Sequence, residues 1–111
     1  MSSDPGPPSP RRMIRLMVRV RGRDAHEGKP IVDLLLSLYK ERGLSGATVL
    51  QGVRGYGVHG ASRVDVLGLS INLPMVIETV EAPEKIEGIL AEVKTIVGKN
   101  GLITIEDVRV P

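Results

Sequence analysis

Apolar and polar residues alternate along residues 13–20, MIRLMVRV. The alternation places Ile14, Leu16, Val18 and Val20 on one side of an extended segment and arginines on the other. Because successive side chains of a strand point to opposite faces, this period of two predicts a β-strand. The charged stretch that follows, residues 21–29, contains two glycines and predicts a loop.

Two segments carry the start and stop signals of helices. Pro30 opens IVDLLLSLYKER, which has an acid in its first turn, bases in its last turn and Gly43 just beyond. Pro83 opens the second segment, which ends before Gly98. Aliphatic residues recur in it at helical spacing and predict one buried stripe. They are Ile86, Ile89, Leu90, Val93 and Ile96.

Three more strands complete the pattern. One runs from Ala47 to about Arg54, and one covers residues 73–80 with Pro74 near its start, where a missing N–H does least harm. The last is LITIEDVRV, residues 102–110. Its alternation changes phase around residues 106–107, which predicts a bulge or a bend there.

The resulting order, β-α-β-β-α-β, predicts an α+β domain of the ferredoxin-like class. In this fold a four-stranded antiparallel sheet carries two helices on one face. The strands include Met17, Val49, Met75 and Ile77, so we expect a second subunit or a further sheet to cover the other face. Residues 1–11 are rich in Pro, Ser and Gly and predict a disordered tail before a single domain at 12–111.

Composition excludes several classes of function. The chain has no cysteine, so it offers neither disulfides nor thiolate chemistry. It has no Phe or Trp and only two Tyr, which argues against domains that stack RNA bases on aromatic side chains. His26 and His59 lie in different loops, and no serine has a nucleophile context, so we expect neither a metal site nor an enzyme. Without a signal peptide or a long apolar run, we expect a cytoplasmic protein.

Charge is distributed unevenly along the chain. Residues 11–63 carry eleven Lys or Arg against four Asp or Glu, whereas residues 64–111 carry four against eight. A basic half favours an anionic ligand or an acidic partner. For most of these arginines, solvation at the surface is the alternative interpretation.

The basic half contains a glycine-rich segment, GATVLQGVRGYGVHG, at residues 46–60. Glycine accepts positive φ, so several glycines can turn backbone N–H groups into one concavity that binds phosphate. Arg54 and Arg63 would add positive charge, and His59 a further donor. The segment matches neither the P-loop nor the dinucleotide-binding glycine pattern, so a plain flexible hairpin loop stays open as the alternative.

The run TVLQGVRGYGVHG followed by LPMVIETV resembles the PII signalling proteins, in which a strand ends in V-x-G-F-G, a long flexible loop follows, and the next strand begins Leu-Pro. The similarity is tighter to a PII-like family of bacterial domains, through GKPIVDLLL, GLSGATVLQGVRGYG and GLITIEDVRV. It spans residues 13–110. The resemblance implies a trimer with sheets facing inward, and clefts between subunits that accept adenine nucleotides. It also implies a loop, here about 55–70, that docks on a transporter or an enzyme.

By this resemblance Gly55, Tyr56 and Gly57 match the loop entry, where PII proteins bring backbone to the phosphates, and His59 matches a polar ligand contact. Val58 stands where PII proteins have an arginine, which puts one phosphate contact in question. The candidate nucleotide-binding residues are Arg54, Gly55, Tyr56, Gly57, His59, Arg63, Lys99 and Arg109.

A second departure lies between the second helix and the last strand. PII proteins have Gly-Asp-Gly-Lys there, whereas this chain has GKNG at 98–101, with Lys99 as the sole counterpart. A helix C-cap at Gly98 followed by a tight turn is an equal alternative. With fewer phosphate donors, AMP or ADP is favoured over ATP. The competing function is a structural or ACT-like oligomeric domain that binds another metabolite or only a protein; nucleic acid is not expected as a ligand.

Overall fold

The computed structural model describes residues 9–57, 60–63 and 72–111. The regular elements of these residues are β1 (Arg11–Arg21), β2 (Ala25–His26), β3 (Lys29–Pro30), α1 (Ile31–Glu41), β4 (Thr48–Gln51), β5 (Arg54–Gly57), β6 (Gly60–Arg63), β7 (Pro74–Glu81), α2 (Pro83–Val97) and β8 (Leu102–Val110). Most of the predicted tail lies outside the described residues, and β1 begins at Arg11.

The main sheet has four antiparallel strands in the order β4-β7-β1-β8. The inner strand β1 pairs along most of its length with both β7 and β8, while β4 and β8 form the two edges. Both helices contribute to one core on a single face of this sheet. The predicted ferredoxin-like arrangement is therefore confirmed.

The core is built on the alternation of β1. Ile14, Leu16, Val18 and Val20 are all buried, as their spacing predicts. Buried side chains of α1 and α2 pack over them: Ile31, Leu35, Leu38, Tyr39, Ile86, Ile89, Val93 and Val97. Burial raises the pKa of the Tyr39 phenol to about 12, so this core side chain is neutral at physiological pH.

The helix signals of the sequence are confirmed with small shifts. Pro30 is the N-cap of α1 rather than its first residue, and Pro83 occupies the first turn of α2. Gly43 and Gly98 follow the two helices with φ of 72° and 57°, which glycine adopts at little cost. Of the predicted stripe on α2, Leu90 and Ile96 are only partly buried.

The predicted loop between β1 and α1 contains a small hairpin. β2 and β3 pair across Glu27 and Gly28, which have φ of 51° and 78°. Positive φ at both central residues is the signature of a tight hairpin turn. Glutamate is an unusual residue at the first of these positions, so the sequence carries only a weak hairpin signal here.

Register decides which side chains lie on the face without helices, which we call the open face. Ile77 lies opposite Val18, Met75 opposite Val20, and Val49 opposite Ile77, so these three side chains point toward the helices. These three side chains therefore do not contribute to the open face. Met17 does lie on the open face, between Thr104 and Glu78.

The open face remains a mixture of apolar and charged side chains. Register assigns to it Arg11, Met13, Arg15, Met17, Arg19, Arg21, Thr48, Leu50, Pro74, Val76, Glu78, Val80, Leu102, Thr104, Glu106, Val108 and Val110. Leu50 and Leu102, on the two edge strands, are 54% and 55% exposed. A further layer is still expected over this face.

The bulge predicted near residues 106–107 is absent from β8. Its pairing with β1 runs without a break from Arg11 opposite Val110 to Arg19 opposite Leu102. The change of phase has another cause, because both acids pair with arginines of β1. Asp107, on the helix side, accepts from Arg12 at 3.0 Å, and Glu106 accepts from Arg15 on the open face.

A buried carboxylate fixes the loop between α1 and β4. Glu81 is only 4% exposed and accepts hydrogen bonds from the backbone N–H and the hydroxyl of Ser45, the latter at 2.7 Å. Burial opposes ionisation of Glu81, but the Ser45 bonds, the charge of Lys85 and the Ala82 N–H outweigh it, so the pKa lies below 4.5. In the same loop, the Gly46 carbonyl accepts a hydrogen bond from the Thr79 hydroxyl at 2.6 Å.

Glu81→Gln should lower the free energy of unfolding at pH 7 by about 1–3 kcal/mol, since it removes charge-assisted hydrogen bonds from a buried group. Because the folded pKa is depressed, this stabilisation is present above the unfolded pKa and is lost as pH falls through the folded value. Urea unfolding at pH 7 and at pH 3 to 4 should therefore show the deficit shrinking in acid.

The exposed Glu87→Gln is the matched control and should change stability by less than about 0.5 kcal/mol at either pH. A Glu81→Gln deficit that stays constant down to pH 3 would show that Glu81 does not supply this pH dependence.

Candidate functional site

The glycine-rich segment forms a hairpin that is separate from the main sheet. β5 and β6 pair with Arg54 opposite Arg63, Gly55 opposite Ser62, and Gly57 opposite Gly60. The predicted single strand from Ala47 to Arg54 is thus divided. β4 ends at Gln51, two residues intervene, and β5 belongs to the second sheet.

The break follows from a close crossing of Gly52 over Pro74, the first residue of β7. Gly52 N–H donates to the Pro74 carbonyl at 2.7 Å, and a Cβ on Gly52 would lie 2.7 Å from Pro74 Cγ. A Cβ on Gly55 would lie 3.3 Å from the same atom. Two of the glycines that suggested a phosphate nest are therefore needed, in part, for packing against a proline ring.

The hairpin pairs two arginine positions at its base. Arg54 lies directly opposite Arg63 in the β5–β6 register. Arg54 is exposed and makes no side-chain hydrogen bond or ion pair with the described residues. Its guanidinium is therefore of the kind that can donate to an anion such as phosphate.

The rest of the hairpin entry is open to solvent. Tyr56 is 93% exposed and Val53 73% exposed. Of the candidate residues predicted from the sequence, His59 lies outside the described residues, as do 58 and 64–70 of the predicted loop.

A second segment, not identified from the sequence, is tied to the chain entering β7. Gly22 N–H donates to the Leu73 carbonyl at 2.9 Å, and Arg23 N–H donates to the Asn72 side-chain oxygen at the same distance. Asn72 has a φ of 45°, a conformation that asparagine tolerates better than most residues. The loop after β1 is thereby held at the end of the sheet from which the hairpin leaves.

Lys99 lies in the turn between α2 and β8. Gly98 N–H donates to the Lys94 carbonyl at 2.9 Å and Asn100 N–H donates to the Val97 carbonyl at 3.1 Å. A Cβ on Gly101 would overlap the Arg19 carbonyl oxygen. This geometry is that of the alternative interpretation, a helix C-cap followed by a tight turn. Lys99 is exposed in this turn.

The candidate residues fall into three places in one chain. The Arg54–Gly57 strand and Arg63 form the hairpin beyond β4, at one edge of the sheet. Lys99 precedes β8, the other edge strand, at the same end of the sheet; three strand spacings, about 14 Å, separate β8 from β4. Arg109 lies opposite Arg12, at the far end of β8, about 23 Å along the strand from Leu102.

The candidate residues supply cationic side chains and backbone N–H groups. Guanidinium, ammonium and backbone N–H groups donate to phosphate oxygens. Among residues 9–57, 60–63 and 72–111 no three His, Asp or Glu side chains are grouped closely enough to hold a metal ion. No helix in the same residues is long and apolar enough to cross a membrane.

Comparison with known proteins agrees with the fold and the motifs. The family model DUF190, described as Uncharacterized ACR, matches residues 13–110. The chain belongs to this family. A UPF0166 protein of Methanocaldococcus jannaschii is 39% identical over 95 residues, which cover 86% of this chain and 88% of the relative. A UPF0166 protein of Aquifex aeolicus is 47% identical over 89 residues, covering 78% and 82%.

Solved structures place the DUF190 chain among PII-like folds. CPII, a nitrogen regulatory PII-like protein from Thiomonas intermedia K12 bound to ADP, AMP and bicarbonate, superposes with a TM-score of 0.68 at 16% identity, over 92% of this chain and 98% of CPII. The apo form of CPII gives 0.63 at 14% identity, over 91% and 94%. The PII-like resemblance inferred from the loop motif is confirmed for the fold.

The close approach of Gly52 to Pro74 predicts that alanine is tolerated less well at Gly52 than at Gly46. Gly52→Ala should lower the free energy of unfolding by about 1–3 kcal/mol, because its methyl group would overlap the proline ring and force the strands apart. Urea unfolding measures the loss, and hydrogen exchange of the residue 52 amide should accelerate as its bond to Pro74 weakens.

Gly46→Ala is the control, since a Cβ there meets no atom within 4 Å and its φ is not positive. It should leave stability unchanged or raise it by about 0.4–1 kcal/mol. Equal effects at the two positions would contradict the steric explanation of Gly52.

Proposed function

We propose that this DUF190 protein is a non-enzymatic, cytoplasmic regulator of the PII-like type. In this proposal it is a homotrimer that binds an adenine nucleotide in clefts between subunits. AMP or ADP is the preferred ligand, and ATP is not. The loop at about 55–70 then reports the bound ligand to a membrane transporter or an enzyme.

The proposal rests on where three of the candidate cations lie. All three are at the same end of the sheet, but they are divided between its two edge strands. Arg54 and Arg63 lie beyond β4, and Lys99 lies before β8, with β7 and β1 between them. A single chain does not bring them together. A neighbouring chain whose β8 edge meets the β4 edge of the first would complete the site.

The edge strands also carry exposed apolar side chains. Leu50 on β4 is 54% exposed, and Leu102 and Ile105 on β8 are 55% and 54% exposed. Because the two patches are different, their contact is head-to-tail, and head-to-tail contacts that close produce a ring. The number of subunits, three, is taken from the PII-like resemblance. A closed ring of three subunits is compatible with these head-to-tail contacts.

The preference for a short phosphate chain rests on the number of donors. The α2–β8 turn offers Lys99 as its only cationic side chain, and its glycines serve the helix cap and the approach to β1. CPII, which shares the fold, was bound to ADP and AMP. A site with one lysine and the two hairpin arginines suits one or two phosphates better than three.

Calorimetric titration of the purified protein with AMP, ADP, ATP and cyclic AMP tests the proposal. AMP or ADP should bind with the highest affinity. Arg54→Gln should weaken that binding about 10–100-fold, the loss expected for one charge-assisted contact to phosphate. Lys40→Gln, an exposed change on α1, is the control and should leave affinity unchanged.

Light scattering after size exclusion measures the assembly in the same samples. If none of the four nucleotides binds to a well-folded trimer, the nucleotide proposal is wrong and a structural or ACT-like role with another metabolite replaces it.

A further inference from the structure

Some charged side chains on the open face form ion pairs within the chain, and others do not. Arg15 donates to Glu106, directly opposite on β8, so this pair is neutral as a unit. The guanidinium of Arg19 and the carboxylate of Glu78 make no hydrogen bond or ion pair with the described residues. Arg19 and Glu78 are therefore an unpaired cation and an unpaired anion on the same surface, and Arg11, at the other end of β1, is a second unpaired cation among the described residues.

Glu78 is poorly placed for a solvated acid. It occupies the middle of β7, half-buried, with Met17 opposite it on β1 and Thr48 opposite it on β4. Its neighbours along the open face of β7 are Val76 and Val80. Any layer that covers these apolar side chains also covers the carboxylate, and a covered charge needs a partner of opposite sign.

Arg19 is placed in a similar way. It lies exposed between Val76 on β7 and Leu102 on β8, so its guanidinium stands on an apolar surface. Glu78 is its diagonal neighbour across the β1–β7 pair, and such neighbours lie about 7–8 Å apart, a separation that an arginine side chain can span. The two nevertheless remain unpaired within the chain, which leaves both available to a second surface.

We propose that Arg19 of one subunit pairs with Glu78 of the next when the open faces pack together, so that a closed ring leaves neither charge unmatched. A second copy of this chain is the occupant that the charges favour, since each copy supplies both the cation and the anion that the neighbour lacks. The inference rests on the proposed trimer and adds the residues that hold its interior in register.

A charge-reversal cycle tests the pairing. Arg19→Glu and Glu78→Arg are made singly and together, and each purified protein is examined by light scattering over a dilution series. Each single variant should raise the concentration at which the trimer dissociates by about tenfold or more, because like charges then meet in the covered face. The double variant should restore dissociation to within about threefold of the wild type.

Lys40→Glu and Glu87→Arg are the matched controls, since both reverse an exposed charge on a helix, away from the open face. They should leave dissociation unchanged. Circular dichroism of each variant establishes that the monomer is folded, which is expected because Arg19 and Glu78 are not in the core.

The outcomes separate this inference from the proposed function. Single variants that stay trimeric, or a double variant as weak as the singles, would overturn the pairing and leave the trimer and its nucleotide site standing. A wild-type protein that is monomeric at all concentrations would overturn both.

Discussion

The alternation of β1 is the constraint on which the rest of the structure depends. Four of its side chains, from Ile14 to Val20, enter the core, and each contributes about 1.5–3 kcal/mol by leaving water. The same alternation fixes Arg15 and Arg19 on the other face. A shift of one residue in pairing with β7 or β8 would exchange the two sets, so the register of the sheet is strongly determined. The composition of the open face follows from the packing of the core.

Much of the fold could be predicted from the sequence because its signals are local. The sequence places the helix starts at Pro30 and Pro83 and the helix ends just before Gly43 and Gly98, and the structure confirms these limits to within a residue. The burial of β1 also follows from neighbouring residues alone. Features that depend on distant contacts were missed or wrong. The division of β4 from β5 is set by Pro74, and the unbroken β8 is set by arginines of β1, neither of which a local pattern reveals.

The same limit applies to the candidate site. The motif around Gly55 predicts a strand that runs into a loop, and the structure shows a hairpin with Arg54 opposite Arg63. The sequence does not predict that Lys99 and the hairpin leave from opposite edges of the sheet, because strand order is a property of the whole chain. In one subunit these residues lie at opposite edges of the sheet, which is why the proposed site includes a second subunit.

The fold changes the interpretation of charge that the sequence alone suggests. The excess of arginine in residues 11–63 suggests a broad basic surface, yet β1 lies beside the acidic strand β8. Arg12 and Arg15 are neutralised there by Asp107 and Glu106. Since exposed ion pairs contribute little to stability, the main consequence is electrostatic: the basic excess of this half is reduced on the sheet. Arg54, at the base of the hairpin, is exposed and has no partner among the described acids, so it keeps the positive charge that Arg12 and Arg15 share with β8.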